Sequence, residues 1–224
     1  MLLLVVDTST PAVTAALAEV TAESVTLRAH RTAVDGRAHG ELLAPGIEAV
    51  LAEVGARPRD LDAVVAGLGP GPFTGLRVGL VTAAALGQTL GIPTYGVCSL
   101  DALGAAAAPG RVLAATDARR REIYWAVYDD SKAITAPAVD APATVAQRAA
   151  ELGATDAVGD GALRYADTLG LPVRDDPRYP PPAALAALAA DRVRAGAPGE
   201  RLVPLYLRRP DAVEPGVRKA VLPP

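Results

Sequence analysis

Residues 62–101 read DAVVAGLGPGPFTGLRVGLVTAAALGQTLGIPTYGVCSLD, and this stretch decides the fold class. The valine-rich run at 63–66 predicts a short buried strand, and the glycines and prolines of 67–72 predict a turn. The proline-free run at 73–90 favours a helix, after which a second short strand leads to Ser99, a candidate helix N-cap. This order of strand, glycine loop, helix and strand indicates an α/β protein with a loop at the carboxyl end of a parallel strand.

The helix predicted at 73–90 carries a small residue at every fourth position. Gly75, Gly79, Ala83 and Gly87 therefore share one face, against which another backbone can pack closely. Three glycines within a helix destabilise it by about 1 kcal/mol each relative to alanine, so close packing should compensate. From the residues alone, two interpretations stay open: the face packs on the protein's own sheet, or it packs on a helix of another subunit.

The glycine loop does not match two common phosphate-binding motifs. Gly75 is followed by Leu76 and Arg77, whereas a Walker A loop has lysine and then serine or threonine after its last glycine. Thr74 stands where a dinucleotide-binding loop has its third glycine, and no acidic residue follows about twenty residues later. The loop can still offer backbone N–H groups to an anion, which is a weak signal by itself.

The composition is that of an apolar and slightly acidic chain of 224 residues. Its formal net charge is −3 and its hydrophobic content is 50%, which argues against a surface that binds nucleic acid electrostatically by itself. Cys98 is the single cysteine, which excludes an internal disulfide and fits a buried thiol in a reducing cytoplasm. The apolar run at 1–6 has no basic residue before it and ends at Asp7, so we expect neither a signal peptide nor a membrane span.

The second half of the chain weakly repeats the first. Three pairs of segments correspond: 113–118 resembles 3–8, 123–128 resembles 13–18, and 156–161 resembles 62–67. Further patterns predict strands at 13–20 and 24–31, and helices at 41–54, 143–152, 162–169 and 183–195. Each copy therefore predicts a strand ending in aspartate, a hairpin, a helix and a strand with a glycine loop, and the second copy looks shortened.

Two βββαβα units that each begin with an Asp-ended strand are the plan of the actin, sugar-kinase and Hsp70 (ASKHA) fold. In that plan, the Asp-ended hairpins face a nucleotide between two lobes. We therefore predict a two-lobed α/β protein, with a complete N-terminal lobe at 1–100 and a shortened C-terminal lobe at 101–224. The tail from Arg208 onward is polar and rich in proline, and we expect its end to be disordered.

Five segments in matching order resemble one protein family over nearly the whole chain. The most specific is GPGPFTGLRVG at 69–79, with Pro72 where serine is usual. The others are VVDTST at 5–10, RAHGELLAP at 37–45, TDAR with EIYWA at 116–126, and PLYLR with Asp211-Ala212 at 204–212. The chain is thereby similar to the TsaB (YeaZ) family, a subunit of the bacterial tRNA threonylcarbamoyladenosine modification machinery.

This resemblance implies that the chain is a dimerisation subunit and not an enzyme. Members of the family form homodimers alone and heterodimers with the related catalytic subunit TsaD, which acts on the adenosine beside the tRNA anticodon. The ATPase TsaE joins them, and the family contacts tRNA mainly as part of the complex. The resemblance thus implies a cytoplasmic protein that activates TsaD, with no catalytic residue, no metal ligand and no membrane contact of its own.

The family's dimer is built from the first-lobe helices, which here are about 39–54 and 73–90. The implied partner-interface residues are His39, Leu42, Leu43, Gly46 and Ile47 in the first helix and Phe73, Thr74, Gly75, Val78, Gly79, Thr82, Ala83 and Gly87 in the second. The resemblance therefore favours the second-subunit interpretation of the small-residue face. It predicts that Gly79→Leu or Ala83→Leu breaks pairing and leaves the fold largely intact.

A kinase or ATPase of the same fold is the main alternative. Asp7, Thr8, Ser9 and Asp117 are its candidate nucleotide-facing residues, because kinases of this fold keep carboxylates for Mg²⁺ at these two aspartates. Each aspartate can instead cap a turn through backbone N–H groups, which we favour. We expect no tightly bound cofactor, and at most weak or partner-dependent binding of ATP or ADP.

A metalloprotease is the weaker alternative, because related sequences have been labelled glycoproteases. The catalytic relative uses a His-x-x-x-His pair at the start of its first helix, but here His39 is followed four places later by Leu43. The other histidine, His30, lies on a predicted strand, so the metal pair is absent.

The basic run at 119–121 is interpreted as a solvated turn, with contact to tRNA or an acidic partner as the alternative.

Overall fold

The computed structural model describes residues 1–208 and has the alternation of strands and helices that the sequence predicts. The first half contains β1 (Leu2–Asp7), β2 (Ala12–Val20), β3 (Val25–Val34), α1 (His39–Val54), β4 (Ala63–Gly67), α2 (Phe73–Leu90), β5 (Thr94–Val97) and α3 (Ser99–Ala106). The second half contains β6 (Arg111–Asp117), β7 (Ile123–Asp129), β8 (Lys132–Ala133), β9 (Ala138–Asp140), α4 (Pro142–Glu151), β10 (Asp156–Val158), α5 (Asp160–Arg164), α6 (Ala166–Leu169) and α7 (Pro182–Arg194). Over residues 1–208, no helix combines the length and hydrophobicity that crossing a bilayer requires.

The two sheets repeat one topology. The first has the order β3-β2-β1-β4-β5, in which β1 is antiparallel to β2 and parallel to β4. The second has the order β10-β6-β7-β8, with β9 also paired to β7, and β6 is antiparallel to β7 and parallel to β10. The described part of the second unit has no counterpart of β5, and the place of β3 is taken by the short β8 and β9. The predicted duplication, with a shortened second copy, is confirmed.

The first sheet is buried on both faces because the side chains of β1 alternate between two cores. Leu4 and Val6 point to the face that α1 and α2 cover, whereas Leu3 and Val5 point to the opposite face. All four side chains are fully buried. A strand covered on both sides reads as a continuous apolar run, which is why β1 shows no alternation in its sequence.

Helix α7 belongs to the core of the first sheet although it comes from the second half of the chain. Its buried residues Leu185 and Ala189 pack on the face that carries Leu3 and Val5. Leu188, on the same helix, is 39% exposed. The two sheets fall on either side of residue 100, so the lobe division at 1–100 and 101–224 stays a prediction, with α7 crossing it.

Three local expectations differ from the structure. Helix α1 begins at His39, slightly before the predicted start. The single helix predicted at 162–169 is two short helices, α5 and α6, which are divided at Tyr165. Ser99 is not an N-cap: Cys98 holds that position, without a side-chain hydrogen bond, and Ser99 is the first residue of α3. The reason is that the Ser99 hydroxyl bonds to a distant carboxylate, described below.

An extended stretch at 200–208, here called the closing segment, connects the two lobes. The Glu200 N–H donates to the Thr94 carbonyl at 2.7 Å, and the Leu205 N–H donates to the Leu68 carbonyl at 2.9 Å. At its far end, Arg208 forms an ion pair with Glu122 in the β6–β7 hairpin of the second lobe. The predicted Asp211-Ala212 motif and the proline-rich tail lie outside the described residues.

Candidate functional site

The carboxylate of Asp7 is a buried junction between β1, its following loop and α3. Asp7 Oδ1 accepts hydrogen bonds from the Ser9 N–H at 3.0 Å and the Ser9 hydroxyl at 2.8 Å. Oδ2 accepts one from the Ser99 hydroxyl at 2.6 Å, and Ser99 Oγ in turn accepts the Gly69 N–H at 3.2 Å. Burial raises the pKa of Asp7, against the lowering effect of these hydrogen bonds. Both carboxylate oxygens thus form hydrogen bonds within the fold.

The small-residue face of α2 packs on the chain itself. Thr8 Oγ1 donates to the Gly75 carbonyl at 2.8 Å and accepts the Gly79 N–H at 2.9 Å. Ala83 is fully buried, and a Cβ at Gly87 would lie 2.5 Å from Thr94 Cγ2. The second-subunit interpretation of this face is therefore wrong. The expectation that Gly79→Leu or Ala83→Leu spares the fold is wrong for the same reason, because these positions face the chain's own loop and sheet.

The structure divides the implied interface residues into two groups. Seven are buried in the chain's own core: His39, Leu43, Ile47, Gly75, Gly79, Ala83 and Gly87. Six reach the surface: Leu42, Gly46, Phe73, Thr74, Val78 and Thr82. The buried seven pack mainly within the chain, so the six that reach the surface are the stronger candidates for the interface.

Sequence reasoning missed the most exposed large apolar residue of α2. Val81 is 66% exposed and lies between Val78 and Thr82 on the side opposite the small residues. We call Thr74, Val78, Val81, Thr82 and Ala85 the outer face of α2. The signal that could have revealed it is the helical spacing, because Val81 is apolar yet out of phase with the buried positions.

The candidate nucleotide-facing residues do not meet at one cleft. Asp7, Thr8 and Ser9 are each 1% exposed, so the expectation that they face a nucleotide is wrong for these three. Asp117 alone of the four lines an open cavity, where its carboxylate pairs with Arg164 at 3.0 Å. The sequence interpretation in which Asp7 holds a turn through backbone N–H groups matches the observed hydrogen bonds.

The cavity beside Asp117, of about 630 Å³, is rich in carboxylates, and we call it the acidic cavity. Asp160 and Asp175 also line it, together with the cations Arg164 and Arg178. Burial raises the pKa of Asp160 to about 6, while the N–H of Asp117 donates to Asp160 Oδ1 at 3.3 Å. The lining thus has three carboxylates and two arginines, so a phosphate would need a cation such as Mg²⁺ to bind there.

A larger cavity of about 780 Å³ lies between the lobes, at the starts of α1 and α2. Its charged side chains are Arg37, Arg119, Arg120 and Arg208, and the described residues that line it include no aspartate or glutamate. We call it the basic cavity. The sequence had singled out the arginine run at 119–121 but gave no sign that Arg37 and Arg208 would join it.

His39 lines the basic cavity but is not placed as a metal ligand. Its Nε2 lies 2.8 Å from the Thr10 carbonyl, and because a carbonyl only accepts, Nε2 carries the hydrogen. Within residues 1–208, no group of three or more His, Cys, Asp or Glu side chains could hold a metal ion. The chemistry available in this cavity is therefore that of cations and aromatic rings.

An aromatic pair forms one wall of the basic cavity. The rings of Phe73 and Tyr206 stack with centroids 5.1 Å apart, which joins the first turn of α2 to the closing segment. The Arg77 guanidinium lies 3.6 Å from the Phe73 centroid, and its Nε donates to the Tyr206 hydroxyl at 2.7 Å. Phe73 remains 50% exposed and Tyr206 40% exposed, so part of each ring is open to a ligand or partner.

Comparison with known proteins places this geometry in a family. A family model described as TsaD, tRNA N6-adenosine threonylcarbamoyltransferase, matches residues 29–196. TsaB of Escherichia coli, a tRNA threonylcarbamoyladenosine biosynthesis protein, is 36% identical over 57% of this chain and 55% of its own length. The solved structure of YeaZ from Pseudomonas aeruginosa superposes with a TM-score of 0.74 at 28% identity, covering 92% of this chain and 100% of that one. The chain belongs to the TsaB/YeaZ family.

A further relative matches nearly the whole chain. An uncharacterized protein of Mycobacterium tuberculosis is 50% identical over 93% of this chain and 92% of its own length. The actin-like, two-lobed fold predicted from the sequence is confirmed by the structural likeness to YeaZ. The matching model carries the name of a transferase, whereas the TsaB relative carries that of a biosynthesis protein.

Proposed function

We propose that this chain is a non-catalytic subunit of tRNA threonylcarbamoyladenosine biosynthesis that pairs with and activates a TsaD-type catalytic subunit. The observation that carries the proposal is that α2 has exposed apolar residues on its outer face as well as buried ones on its inner side. Its inner side fills the core of the first lobe, while its outer face presents Val81 to solvent. A helix at the surface of a monomer normally turns polar residues outward, and exposed apolar groups mark sites of association.

The pairing surface in this proposal is the outer face of α2 together with the exposed part of α1. Helices α1 and α2 contact each other on one face of the first sheet. Leu42 and Gly46 reach the surface from α1, and Phe73 does so at the start of α2. A second copy of the chain, or the related catalytic subunit, covers this surface, so the homodimer and the heterodimer exclude each other.

The absence of catalysis in this proposal is supported by how the candidate catalytic groups are used. Both carboxylate oxygens of Asp7 are bonded within the chain, and Asp117 is paired with Arg164. Neither aspartate is left free to hold Mg²⁺ or to act as a base. The kinase and glycoprotease alternatives thus have no support from the residues at which the sequence first placed them.

The remaining partners follow from the family resemblance. In this proposal the ATPase TsaE joins the pair, tRNA is met mainly through the whole complex, and the protein works in the cytoplasm. The chain holds no cofactor tightly, so its contribution is to keep the catalytic subunit in a competent conformation.

Light scattering coupled to size-exclusion chromatography tests the proposal, together with a nucleotide-hydrolysis assay. We expect a homodimer alone, a heterodimer after mixing with the TsaD-type relative, and no hydrolysis by the chain itself. Val81→Asp should abolish both pairings and leave the secondary structure, measured by circular dichroism, unchanged. The matched control is Leu188→Asp, which changes an exposed residue of α7 on the opposite side of the first sheet.

Two results would contradict the proposed function. One is a Val81→Asp variant that pairs as well as the parent and the Leu188→Asp control. The other is a monomeric parent protein with substantial ATP turnover, which would favour the kinase-like alternative.

A further inference from the structure

The first sheet has two edge strands, and they differ in charge. β3 pairs only with β2, and it carries Arg28, His30 and Arg31. Its pairing with β2 also shifts register between Leu17 and Ala18. Basic side chains and such irregularities hinder the addition of a further strand to an edge. The opposite edge strand, β5, has the sequence TYGV without a charged residue, so it needs a different protection.

The protection of β5 comes from the chain that leads from α7 into the closing segment. We call residues 197–200 the β5 cover. The Glu200 N–H donates to the Thr94 carbonyl at 2.7 Å, and Thr94 Oγ1 donates to the Glu200 carbonyl at 2.8 Å. The Tyr95 hydroxyl donates to the Ala197 carbonyl at 2.6 Å. The β5 cover therefore lies where the next strand of the sheet would lie.

An ion pair completes the β5 cover at Gly96. Glu200 Oε2 accepts the Gly96 N–H at 3.1 Å, and Arg192 Nη1 donates to the Gly96 carbonyl at 3.1 Å. Arg192 Nη1 also lies 2.7 Å and 2.8 Å from the two carboxylate oxygens of Glu200. The two side chains thus occupy both backbone groups of Gly96, in place of the hydrogen bonds that a neighbouring strand would supply.

The β5 cover is attached in a way that lets it open locally. The side chains of Arg192 and Glu200 are 33% and 38% exposed, and ion pairs at such exposure contribute little stability. Gly196, just before the β5 cover, has a φ angle of 56°, and a Cβ built there meets no atom within 4 Å. Opening at this point would therefore displace little of the core.

The second sheet covers its edge strand β10 in a similar way. The Ala157 N–H donates to the Pro172 carbonyl at 2.9 Å, and the Arg174 N–H donates to the Ala157 carbonyl at 2.9 Å. Arg174 Nε also pairs with Asp156 at 3.0 Å. In both lobes, an extended piece of chain and an arginine–carboxylate pair thus close the edge beside the parallel strands. The recurrence indicates that closing this edge matters to each copy of the duplicated unit.

We propose that the β5 edge is a pairing surface for β5 of a second copy of this chain, and that the Glu200–Arg192 ion pair keeps it closed. Antiparallel pairing about a two-fold axis at Tyr95 brings Thr94 opposite Gly96 of the second copy, so that their N–H and carbonyl groups bond each other. No like charges meet in this pairing, because β5 has none. The basic side chains of β3 would repel one another in the same arrangement.

This surface goes beyond the proposed partner role and is separate from the outer face of α2. A chain with one self-complementary surface closes as a dimer, whereas a chain with two such surfaces can add copies one after another. The β5 cover would thus confine the protein to pairing through α2 and prevent open-ended assembly.

Amide hydrogen exchange followed by NMR, together with analytical ultracentrifugation, tests the inference on the full-length chain. At low protein concentration, Glu200→Ala should raise the exchange rate of the Gly96 amide by about tenfold or more, because a hydrogen bond to a charged group is lost. At high concentration the variant should self-associate, and the Thr94 and Gly96 amides should regain protection. Glu200→Gln keeps an oxygen for the Gly96 N–H, so its exchange rate should lie between those of the parent and Glu200→Ala.

Two comparisons isolate the β5 edge from other effects. Glu19→Ala is the matched control, because it removes the carboxylate of an exposed ion pair, with Arg28, beside the charged edge strand β3. Each variant is also made in the Val81→Asp background. Glu200→Ala should self-associate there too, because β5 is separate from the outer face of α2. A failure of Val81→Asp to change pairing would count against the proposed function and leave the exchange at Gly96 as the test of the β5 edge.

Three results would overturn the inference. One is a Gly96 amide that exchanges no faster in Glu200→Ala than in Glu19→Ala. Another is a Glu200→Ala variant whose Gly96 amide is exposed and which stays in the same association state as the parent at every concentration. The third is self-association in which the Thr94 and Gly96 amides remain unprotected, which would place the contact elsewhere.

Discussion

A Cβ atom at Gly67 would lie 1.7 Å from Oδ2 of Asp7. The aspartate carboxylate therefore occupies the space that any side chain at Gly67 would need. The two residues end the neighbouring parallel strands β1 and β4, and the Ser99 hydroxyl bonds to the same oxygen of Asp7. The pair explains why a glycine follows the valine-rich strand and why the aspartate that kinases of this fold use for chemistry is enclosed here.

Gly67→Ala should destabilise the protein strongly, because the added methyl group displaces a buried, hydrogen-bonded carboxylate. We expect a loss of roughly 3 kcal/mol or more in the free energy of unfolding, measured by urea denaturation. Gly40→Ala is the control, since a Cβ there meets nothing within 4 Å, and alanine should stabilise the helix by up to about 1 kcal/mol. Equal stability of the two variants would contradict the packing described for Asp7.

Gly79→Ala should destabilise the single chain rather than only its pairing. A Cβ at Gly79 would lie 2.5 Å from Thr8 Oγ1, the atom that accepts the Gly79 N–H. In a double-mutant cycle, Thr8→Ala removes that oxygen, so Gly79→Ala should cost less in the Thr8→Ala background than in the parent protein. Additive effects of the two substitutions on unfolding would show that the contact is not what excludes alanine.

Gly46→Ala in α1 is the matched control for this cycle. A Cβ at Gly46 would lie 3.5 Å from the Ala15 Cβ, which is an ordinary van der Waals contact. The substitution should therefore stabilise the helix by up to about 1 kcal/mol and show no coupling to Thr8→Ala. The comparison separates the general effect of glycine in a helix from the specific contact at Gly79.

Asp160→Asn should stabilise the protein at neutral pH. Burial raises the pKa of Asp160 to about 6 in the folded state, above its ordinary value of 3.8. Between these values the folded state holds a proton that the unfolded state has lost, so this group lowers stability as the pH rises through about 4 to 6. Asparagine removes that cost and can still accept the Asp117 N–H through its oxygen.

Thermal unfolding of Asp160→Asn and the parent across this pH range checks the prediction. Above about pH 7 the variant should be more stable by on the order of 2 kcal/mol, and the difference should vanish near pH 4. A difference that stays constant down to pH 4 would assign the effect to packing and not to titration of Asp160.

Tyr206→Ala should loosen the closing segment. The substitution removes the stack on Phe73 and the hydrogen bond from Arg77, which together hold the segment against the start of α2. Tryptic cleavage after Arg201 should become faster by about tenfold, because an aromatic pair contributes roughly 1 kcal/mol and the hydrogen bond a similar amount. Tyr206→Phe keeps the stack, so its cleavage rate should lie between those of the parent and Tyr206→Ala. Identical cleavage rates for all three proteins would refute the role of Tyr206.

The sequence predicted the elements of this fold better than their contacts. Helix α2 was placed at Phe73–Leu90 because Pro72 and Gly91 mark its ends locally. The small residues of α2 were known to share a face, but helical spacing does not say what a face packs against. The answer lay in the contact between Thr8 and Gly79, which are 71 positions apart in the chain.

The same distinction applies to the candidate site. The residues of the glycine loop and the Asp-ended strands were recognised from local patterns, and so was the family that the comparisons confirm. Ser99 read as a helix cap because its partner, Asp7, lies 92 positions away. Arg37 and Arg208 could not be assigned to one cavity for the same reason. The interface with TsaD and the binding of nucleotide remain predictions.

Helix α7 has a consequence for how the protein emerges from the ribosome. The face of the first sheet that carries Leu3 and Val5 is covered by side chains of Pro182–Arg194, which are synthesised after every strand of both sheets. The N-terminal lobe therefore cannot complete its core before α7 is synthesised, although domains usually fold in the order of their synthesis. Until α7 is released from the exit tunnel, an apolar sheet face is open to chaperones, and a gene fragment that ends near residue 100 would encode an aggregation-prone half.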